Sequence, residues 1–414
     1  MIPILSWRNI WRNRTRSLVV ITAIALGIWA AMFMSGFATG MVKGYLNDNI
    51  ANVVSHIQMH NPQYAKEKDV KMTLSDAEAK LNNISKFQNI KAATVRTLVN
   101  GMIASSKEAR GIQVKGIDPQ AETQVSTIAE KIIEGEYLDV NKRNPILISN
   151  RLAERLDVKL RSKVVLTFQD LNGEIVAAAF RVIGIFDTGN DPFDEANIFV
   201  LRADVNRLLS GVSEESDTIP VQAIAHEIAI ILQDVKLVDS TKYNLQTALP
   251  DVKVETYREI SPDLQLYESQ MQSVSLIYLV VIMLALIFGI INTMLMAVLE
   301  RIRELGMLMA IGMNKLRVFL MIMLETIMIG VVAAPFGLLL GSLTIAYFNK
   351  NGLNLSAYSE TLQMYGMSNV IYFSVNPDIY WQVPLSVAFT AVLASLYPAW
   401  KAIRLQPVEA IRKI

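Results

Sequence analysis

Glu300, Arg301, Arg303 and Glu304 place four charges within five positions at the end of a long apolar run. Leu305, Gly306, Leu308, Met309, Ala310 and Gly312 continue as an amphipathic stretch, and a second apolar run opens at Val318. Charges of both signs at helical spacing make ion pairs and docking surfaces. A segment that leaves a membrane, lies along its surface and re-enters it is placed to be pushed from the side on which it lies.

Other residues with chemical potential carry less. His56 and His60 lie four apart in a strand-like stretch, about 13 Å at strand rise, too far to share a metal; they read as a solvent-facing edge. Asp187, Asp191 and Asp194 surround Gly189, but the spacing and closing Glu of a calcium loop are missing, so a surface loop is expected. Glu325 is an ionisable group inside an apolar run. It calls for a partner on a neighbouring segment, in a structural or a gating role. Asn292 is a second intramembrane polar residue. The sequence contains no G-x-x-x-x-G-K-[ST], H-E-x-x-H or G-x-S-x-G, so no catalytic residue and no metal site is expected. With no cysteine in 414 residues, disulfides, thiolate metal sites and a cysteine nucleophile are excluded. A net charge of +1 without a long basic tract does not suggest nucleic acid.

Four apolar runs must position these residues, at 18–38, 261–298, 318–347 and 381–400. Each is long enough to cross a bilayer as a helix. The first is too long for the core of a cleaved leader and reads as a retained span. Residues 1–17 hold Trp7, Trp11, Arg8, Arg12, Arg14 and Arg16, which suits either an amphipathic surface helix or a plain basic anchor. Lys and Arg crowd 1–17, 299–317 and the 401–414 tail, whereas the 348–380 loop is nearly free of them. That asymmetry puts both termini and the 299–317 segment in the cytosol. Ser261-Pro262-Asp263 is a good helix start, with no Pro or Gly until Gly289. The sequence therefore allows one helix from outside through the membrane, with a stalk carrying Leu264, Tyr267, Met271 and Val274 at spacings of three and four.

Residues 39–260 read as an extracytoplasmic α+β domain. Strand–helix–strand passages at 53–99 and 224–257 form a split module with helices on one face. A β-rich lobe is inserted at about 110–215, with a tight hairpin at Leu171-Asn172-Gly173-Glu174.

Asn292-Thr293-Met294, Glu300-Arg301, Arg303-Glu304-Leu305-Gly306 and Ala310-Ile311-Gly312 closely resemble the N-T-M…E-R-x-R-E-[IL]-G…A-[IL]-G signature of ABC-transporter permeases of the MacB, FtsX and LolC/LolE family. Pro398-Ala399 and Pro407-Val408-Glu409-Ala410-Ile411-Arg412 resemble the family's ending. Val114-Lys115-Gly116-Ile117-Asp118-Pro119 and Gly184-Ile185-Phe186-Asp187-Thr188-Gly189 are similar to the LolC/LolE branch. Met34-Ser35-Gly36-Phe37 and Arg161-Ser162-Lys163 depart from it.

The resemblance implies four spans, a two-lobed periplasmic domain and a coupling helix over Glu300 to Gly312. Leu305, Leu308 and Met309 would then enter a groove of a cytosolic ATPase. ATP and Mg would be bound by that separate chain, with no cofactor here. It further implies a second permease, identical or related, in the bacterial inner membrane. Lipoprotein release toward the outer membrane is the leading cargo expectation. MacB-like export through a periplasmic adaptor and FtsX-like control of an envelope hydrolase are the alternatives.

Overall fold

The computed structural model describes residues 2–12, 14–211 and 223–404, with the side chains of 2–5, 9, 16, 65, 268, 271 and 272 left out. The family-like ending at 407–412 lies outside the described residues.

The chain opens with helix α1 (Ile2–Arg12). Ser6 and Ile10, one turn apart, are buried, whereas Trp7 and Trp11 stay exposed with ring centroids 5.9 Å apart. The segment is helical, with one face buried and the tryptophans on the other. α2 (Arg14–Asn49) follows. At 1.5 Å per residue it is about 54 Å long, well beyond a bilayer core of about 30 Å. It closes in a wide turn, Ile50–Val54, so the strand expected from Val53 begins only at β1 (Ile57–His60).

The next strands are β2 (Ile90–Ala104), β3 (Ala109–Ile117), β4 (Ile132–Gly135), β5 (Pro145–Ser149), β6 (Lys163–Gln169), β7 (Ile175–Phe186), β8 (Asn197–Leu201), β9 (Glu227–Leu232) and β10 (Lys253–Thr256). Between them lie α3 (Ala77–Ile84), α4 (Pro119–Val125), α5 (Asp191–Ala196) and α6 (Val238–Ala248). The chain ends with α7 (Pro262–Glu300), α8 (Ile302–Ala310), α9 (Lys315–Asn351) and α10 (Ile379–Ile403). Among the described residues, four helices are long and apolar enough to cross a membrane: α2, α7, α9 and α10.

Two compact units result. One comprises residues 44–267 with 355–369, and the other 1–43, 268–354 and 370–414. The expected external loop is thus divided. Its ends pair as Leu353–Asn354 with Val370–Ile371 in the helical unit. Its middle belongs to the α+β unit, where Gly366 abuts the Asn190 side chain so closely that a Cβ would come within 2.7 Å of it.

The α+β unit is organised by β2. Its first half, Ile90–Arg96, pairs with β9, which continues through β1 to β10, all antiparallel. The order β10-β1-β9-β2 with α3 and α6 between successive strands is the ferredoxin-like arrangement. α3 and α6 cover one face of it through Ala77, Ile84, Val238 and Leu245. The other face holds α4, through Val125 against Ala92 and Ala229, where helices on a single face were expected.

The second half of β2, Thr97–Ala104, pairs with β3 on one side and β6 on the other. β3 continues to β8, β5 and β7, and β7 pairs with β6. The inserted lobe is therefore a closed six-stranded barrel, which has no open edge between those strands. Its interior is filled by Val99, Ile103, Val114, Ile148, Leu166 and Phe180. The Asp170–Glu174 turn closes the β6–β7 hairpin as expected, with Gly173 at φ +88° and Asp170 Oδ1 accepting from the backbones of Asn172 and Glu174.

Where the two halves of β2 meet, Arg96 donates to both Glu122 oxygens (2.6 and 3.0 Å) and to Glu227 (2.7 Å), all three buried. The buried Lys115 amine nearby is pushed down to about 8 by burial, then by the Arg96 charge.

In the helical unit α2 and α9 approach closely at Gly337 and Gly341, which face Ile28 and Met32. Small residues permit such contact between helices in lipid. Trp29 Nε1 donates to Thr344 Oγ1 at 3.0 Å. α7 differs, being the least buried of the four spans. It buries one stripe, Leu286, Ile290, Met294 and Ala297, and exposes Leu276, Val280, Leu284, Phe288, Asn292 and Met296 at intervals of four.

Candidate coupling site

α7 and α8 are joined by a single residue. Arg301, at φ −105° and ψ 16°, is neither a glycine nor followed by a proline. Its guanidinium instead fixes the joint, with Nη1 donating to both Glu325 oxygens at 3.2 Å and Nε to Glu304 at 3.3 Å. Arg12 Nη2 donates to both Glu304 oxygens, at 2.7 Å to Oε1 and 2.5 Å to the Oε2 that Arg301 also reaches. The resulting chain Arg12–Glu304–Arg301–Glu325 ties α8 to α1 and α9. It is graded by depth, with side-chain exposures of 53, 45, 17 and 10%. Burial raises the Glu304 pKa, but hydrogen bonds from Arg12 and Arg301 outweigh it and hold the carboxyl below the usual range.

Ala310-Ile311-Gly312 is the stop signal of α8. Gly312 takes φ +105°, its N–H reaches Met309 O at 3.1 Å, and the N–H of Met313 reaches Leu308 O at 3.0 Å. This double closure satisfies the last carbonyls and needs a residue that tolerates the left-handed region. Asn314 then caps α9, accepting from Leu316 N at 3.1 Å.

Leu305 and Gly306 are buried inside the chain, Leu305 beside Met294, Val298 and Ile322. The side chain expected to enter a partner's groove is thus occupied at home. Leu308 and Met309 are half-buried, and Arg303 and Ala310 are exposed. The exposed apolar surface is instead Met307 (54%), Ile311 (79%) and Leu316 (61%). The sequence could not set this phase, because Leu305, Met307, Leu308, Met309 and Ile311 leave no single helical face empty. Glu300 ends α7 and is exposed.

Of the stalk residues, Leu264 is buried in the ferredoxin-like core and Tyr267 packs against Tyr45, with ring centroids 4.6 Å apart and the rings tilted by 53°. Val274 is half-buried, and the Met271 side chain lies outside the described residues. Asn292 is exposed on α7, on the same row as Phe288 and Met296.

The histidines are not at an edge. β1 lies between β9 and β10, His56 Nδ1 accepts from Leu232 N at 2.9 Å, and His60 packs on Tyr64. Burial, with the Lys91 charge, pushes His56 down to about 4. Asp194 is also not on a surface loop. It sits in α5, fully buried, accepting from Thr188 N (3.0 Å) and Thr188 Oγ1 (2.6 Å). Burial pushes it up to about 7, with Asp187 and Asp191 adding to the rise. Among the described residues no cluster of ligands could hold a metal. A cavity of about 1070 Å³ beside β7 was not foreseen; Lys142, Arg161, Lys163 and Arg181 line it from three separate segments without a motif.

Comparison with known proteins follows this division. Residues 17–247 match the model of the MacB-like periplasmic core domain, more than half of the chain, and 276–407 match the FtsX-like permease C-terminal region. The lipoprotein-releasing system transmembrane protein LolE of Haemophilus influenzae is 22% identical, with 98% of each chain covered. LolC of Xylella fastidiosa is 22% identical over 96% of this chain and 93% of its own. The macrolide export ATP-binding/permease protein MacB of Hahella chejuensis is 20% identical over 99% of this chain and 59% of that protein.

Proposed function

Since the chain belongs to the MacB-like periplasmic core family and is an ABC-transporter permease of the LolC/LolE, MacB and FtsX type, we propose that it transmits the motion of a separate cytosolic ATPase, which binds ATP and Mg, to its α+β domain in the periplasm. The observation that carries this reading is the one-residue joint at Arg301, which links the short amphipathic α8 to a 39-residue helix ending in the α+β unit. Force applied to Met307, Ile311 and Leu316 enters α7 through that joint. Arg12, Arg14, Lys315, Arg317, Lys401 and Arg404 lie at the span ends that would face the cytosol in the bacterial inner membrane. A second permease, identical or related, packs on the exposed ridge of α7, where Asn292 supplies the one polar group able to bond across an otherwise apolar contact.

The cargo proposed is lipoprotein, moved from the inner membrane toward the outer membrane. Full-length similarity to LolE and LolC supports it. Export in the manner of MacB is the second reading, favoured by a match to MacB over 99% of this chain. Mass spectrometry of the gently solubilised, affinity-purified complex separates them. Release predicts an ATPase with triacylated lipoproteins, and export predicts an ATPase with a periplasmic adaptor and no lipoprotein. A crosslinked complex without any ATPase would overturn the coupling mechanism.

A further inference from the structure

α1 carries more than an anchor needs. Its buried face, Ser6 and Ile10, is held on α9, where Ser6 Oγ donates to Met321 O at 3.1 Å. Trp7 and Trp11 form an exposed aromatic pair, and Arg8 and Arg12, also one turn apart, are exposed. Arg14 opens α2, and Lys315 and Arg317 open α9. Arg8, Arg14, Lys315 and Arg317 are exposed and form no ion pair among the described residues. Tryptophans flanked by unpaired cations at the ends of two spans fit the interface of a bilayer rather than a protein groove.

Arg12 alone of these α1 cations faces two ways. It pairs with Glu304 of α8, yet both side chains are about half exposed, at 53 and 45%. Such pairs are weak and open to competition from other anions. The deeper Arg301–Glu325 pair, at 17 and 10%, is shielded from it.

We propose that α1 and the first turn of α9 form a docking surface for anionic phospholipid, and that lipid phosphate competes with Glu304 for Arg12. The charge of the adjacent leaflet then sets how firmly α8 is held, while Arg301–Glu325 keeps the joint itself intact. Arg8 and Arg14 draw the phosphates in, Trp7 and Trp11 fix the depth, and Arg12 is the residue that changes partner.

The chain has no cysteine, so spin labels at Thr15→Cys, in the first turn of α2 three residues past the end of α1, and at Ala310→Cys report how far α8 stands from the α1–α2 corner in the full-length protein. In phosphatidylcholine nanodiscs one short distance is expected. A longer population should rise severalfold as phosphatidylglycerol is added, and high salt should reverse it. Arg12→Gln should show the longer population in both lipids. Arg8→Gln with Arg14→Gln should require more phosphatidylglycerol, and Arg→Lys at both should restore the response. Native mass spectrometry should show phosphatidylglycerol retained over phosphatidylcholine by the wild type and lost from the double Gln variant. A distance distribution identical in all lipid compositions, or a response untouched by the double Gln variant, would overturn the proposal.

Discussion

Three glycines of α9 test the packing of the helical unit against each other. An added Cβ at Gly337 would lie 2.6 Å from Ile28 Cβ and 2.8 Å from Ala25 O, a backbone atom that moves only with its helix. At Gly341 the nearest atoms are Met32 Sδ at 2.5 Å and Cβ at 2.9 Å, the end and root of a flexible side chain. At Gly330 the nearest atom is Ala391 Cβ at 3.9 Å, an ordinary contact. Overpacking costs about 1–3 kcal/mol, and replacing a helical glycine by alanine gains about 0.5–1 kcal/mol. Gly337→Ala should therefore destabilise by about 1–2 kcal/mol net. Gly341→Ala should fall between about 0 and 1 kcal/mol because Met32 can move. Gly330→Ala should stabilise by up to about 1 kcal/mol. Unfolding of the purified chain in mixed micelles, followed by far-UV circular dichroism, gives the three values under one condition. If Gly330→Ala destabilises as much as Gly337→Ala, the close approach of α2 and α9 is not what these glycines serve.

Other outcomes follow from single sites. Asp194, raised to about 7 from an ordinary 3.8, favours the fold when protonated; that advantage is full below pH 4 and is lost as pH rises through 7. The α+β unit should thus be more stable at pH 5 than at pH 8, by about 2–3 kcal/mol, and Asp194→Asn, whose Oδ1 can accept from Thr188 N while Nδ2 donates to Thr188 Oγ1, should flatten the difference. Glu325→Gln leaves Arg301 mostly buried with Glu304 as its remaining anionic partner among the described residues. A loss of about 1–3 kcal/mol is expected, and Arg301→Met with Glu325→Leu should recover most of it in the same melt. Ile311→Asp should weaken ATPase binding in a pull-down about 10- to 100-fold, since burying an Ile contributes about 1.5–3 kcal/mol, yet leave the melting temperature unchanged; equal binding would remove Ile311 from the interface. Gly306→Pro should cost about 3 kcal/mol within α8 and uncouple ATP hydrolysis from cargo movement in a correctly inserted complex.

The sequence shows the four spans and the inserted lobe plainly, because apolar length and strand alternation are local properties. The β6–β7 hairpin turns where Asn172-Gly173 marks it. What it hides is set by partners distant in the chain. Val53 and Val54 look like strand, yet fold as a wide turn because α2 runs on to Asn49. His56 and His60 alternate like an edge, but pairing of β1 with strands 167 and more residues away buries them. Asp194 reads as a loop acid until Thr188 is seen to satisfy both its oxygens. The coupling segment shows both sides. Its charges and its glycine stop are legible, but the face it presents depends on which side chains α7 and α9 claim first. They claim Leu305, so Ile311 is left outside.

The uneven packing of the helical unit bears on which part can move. Close-packed contacts resist small displacements, and elements with few buried contacts shift at low cost. α2 and α9 touch through glycines that leave no room for a methyl group, and α9 adds the Ser6 contact to α1. α7 has only one buried stripe and an exposed ridge from Leu276 to Met296. Arg301 joins this loosely held helix to α8 and is itself bonded to Glu325 on the rigid α9. On the proposed coupling mechanism, a push on Ile311 would be resisted by α9 at the joint and passed on to α7 as a turn about Arg301 rather than as a translation of the whole unit. Arg301 would then be the fulcrum, and that role would account for Glu325, its anchor, sitting inside the span despite the cost of a charge there.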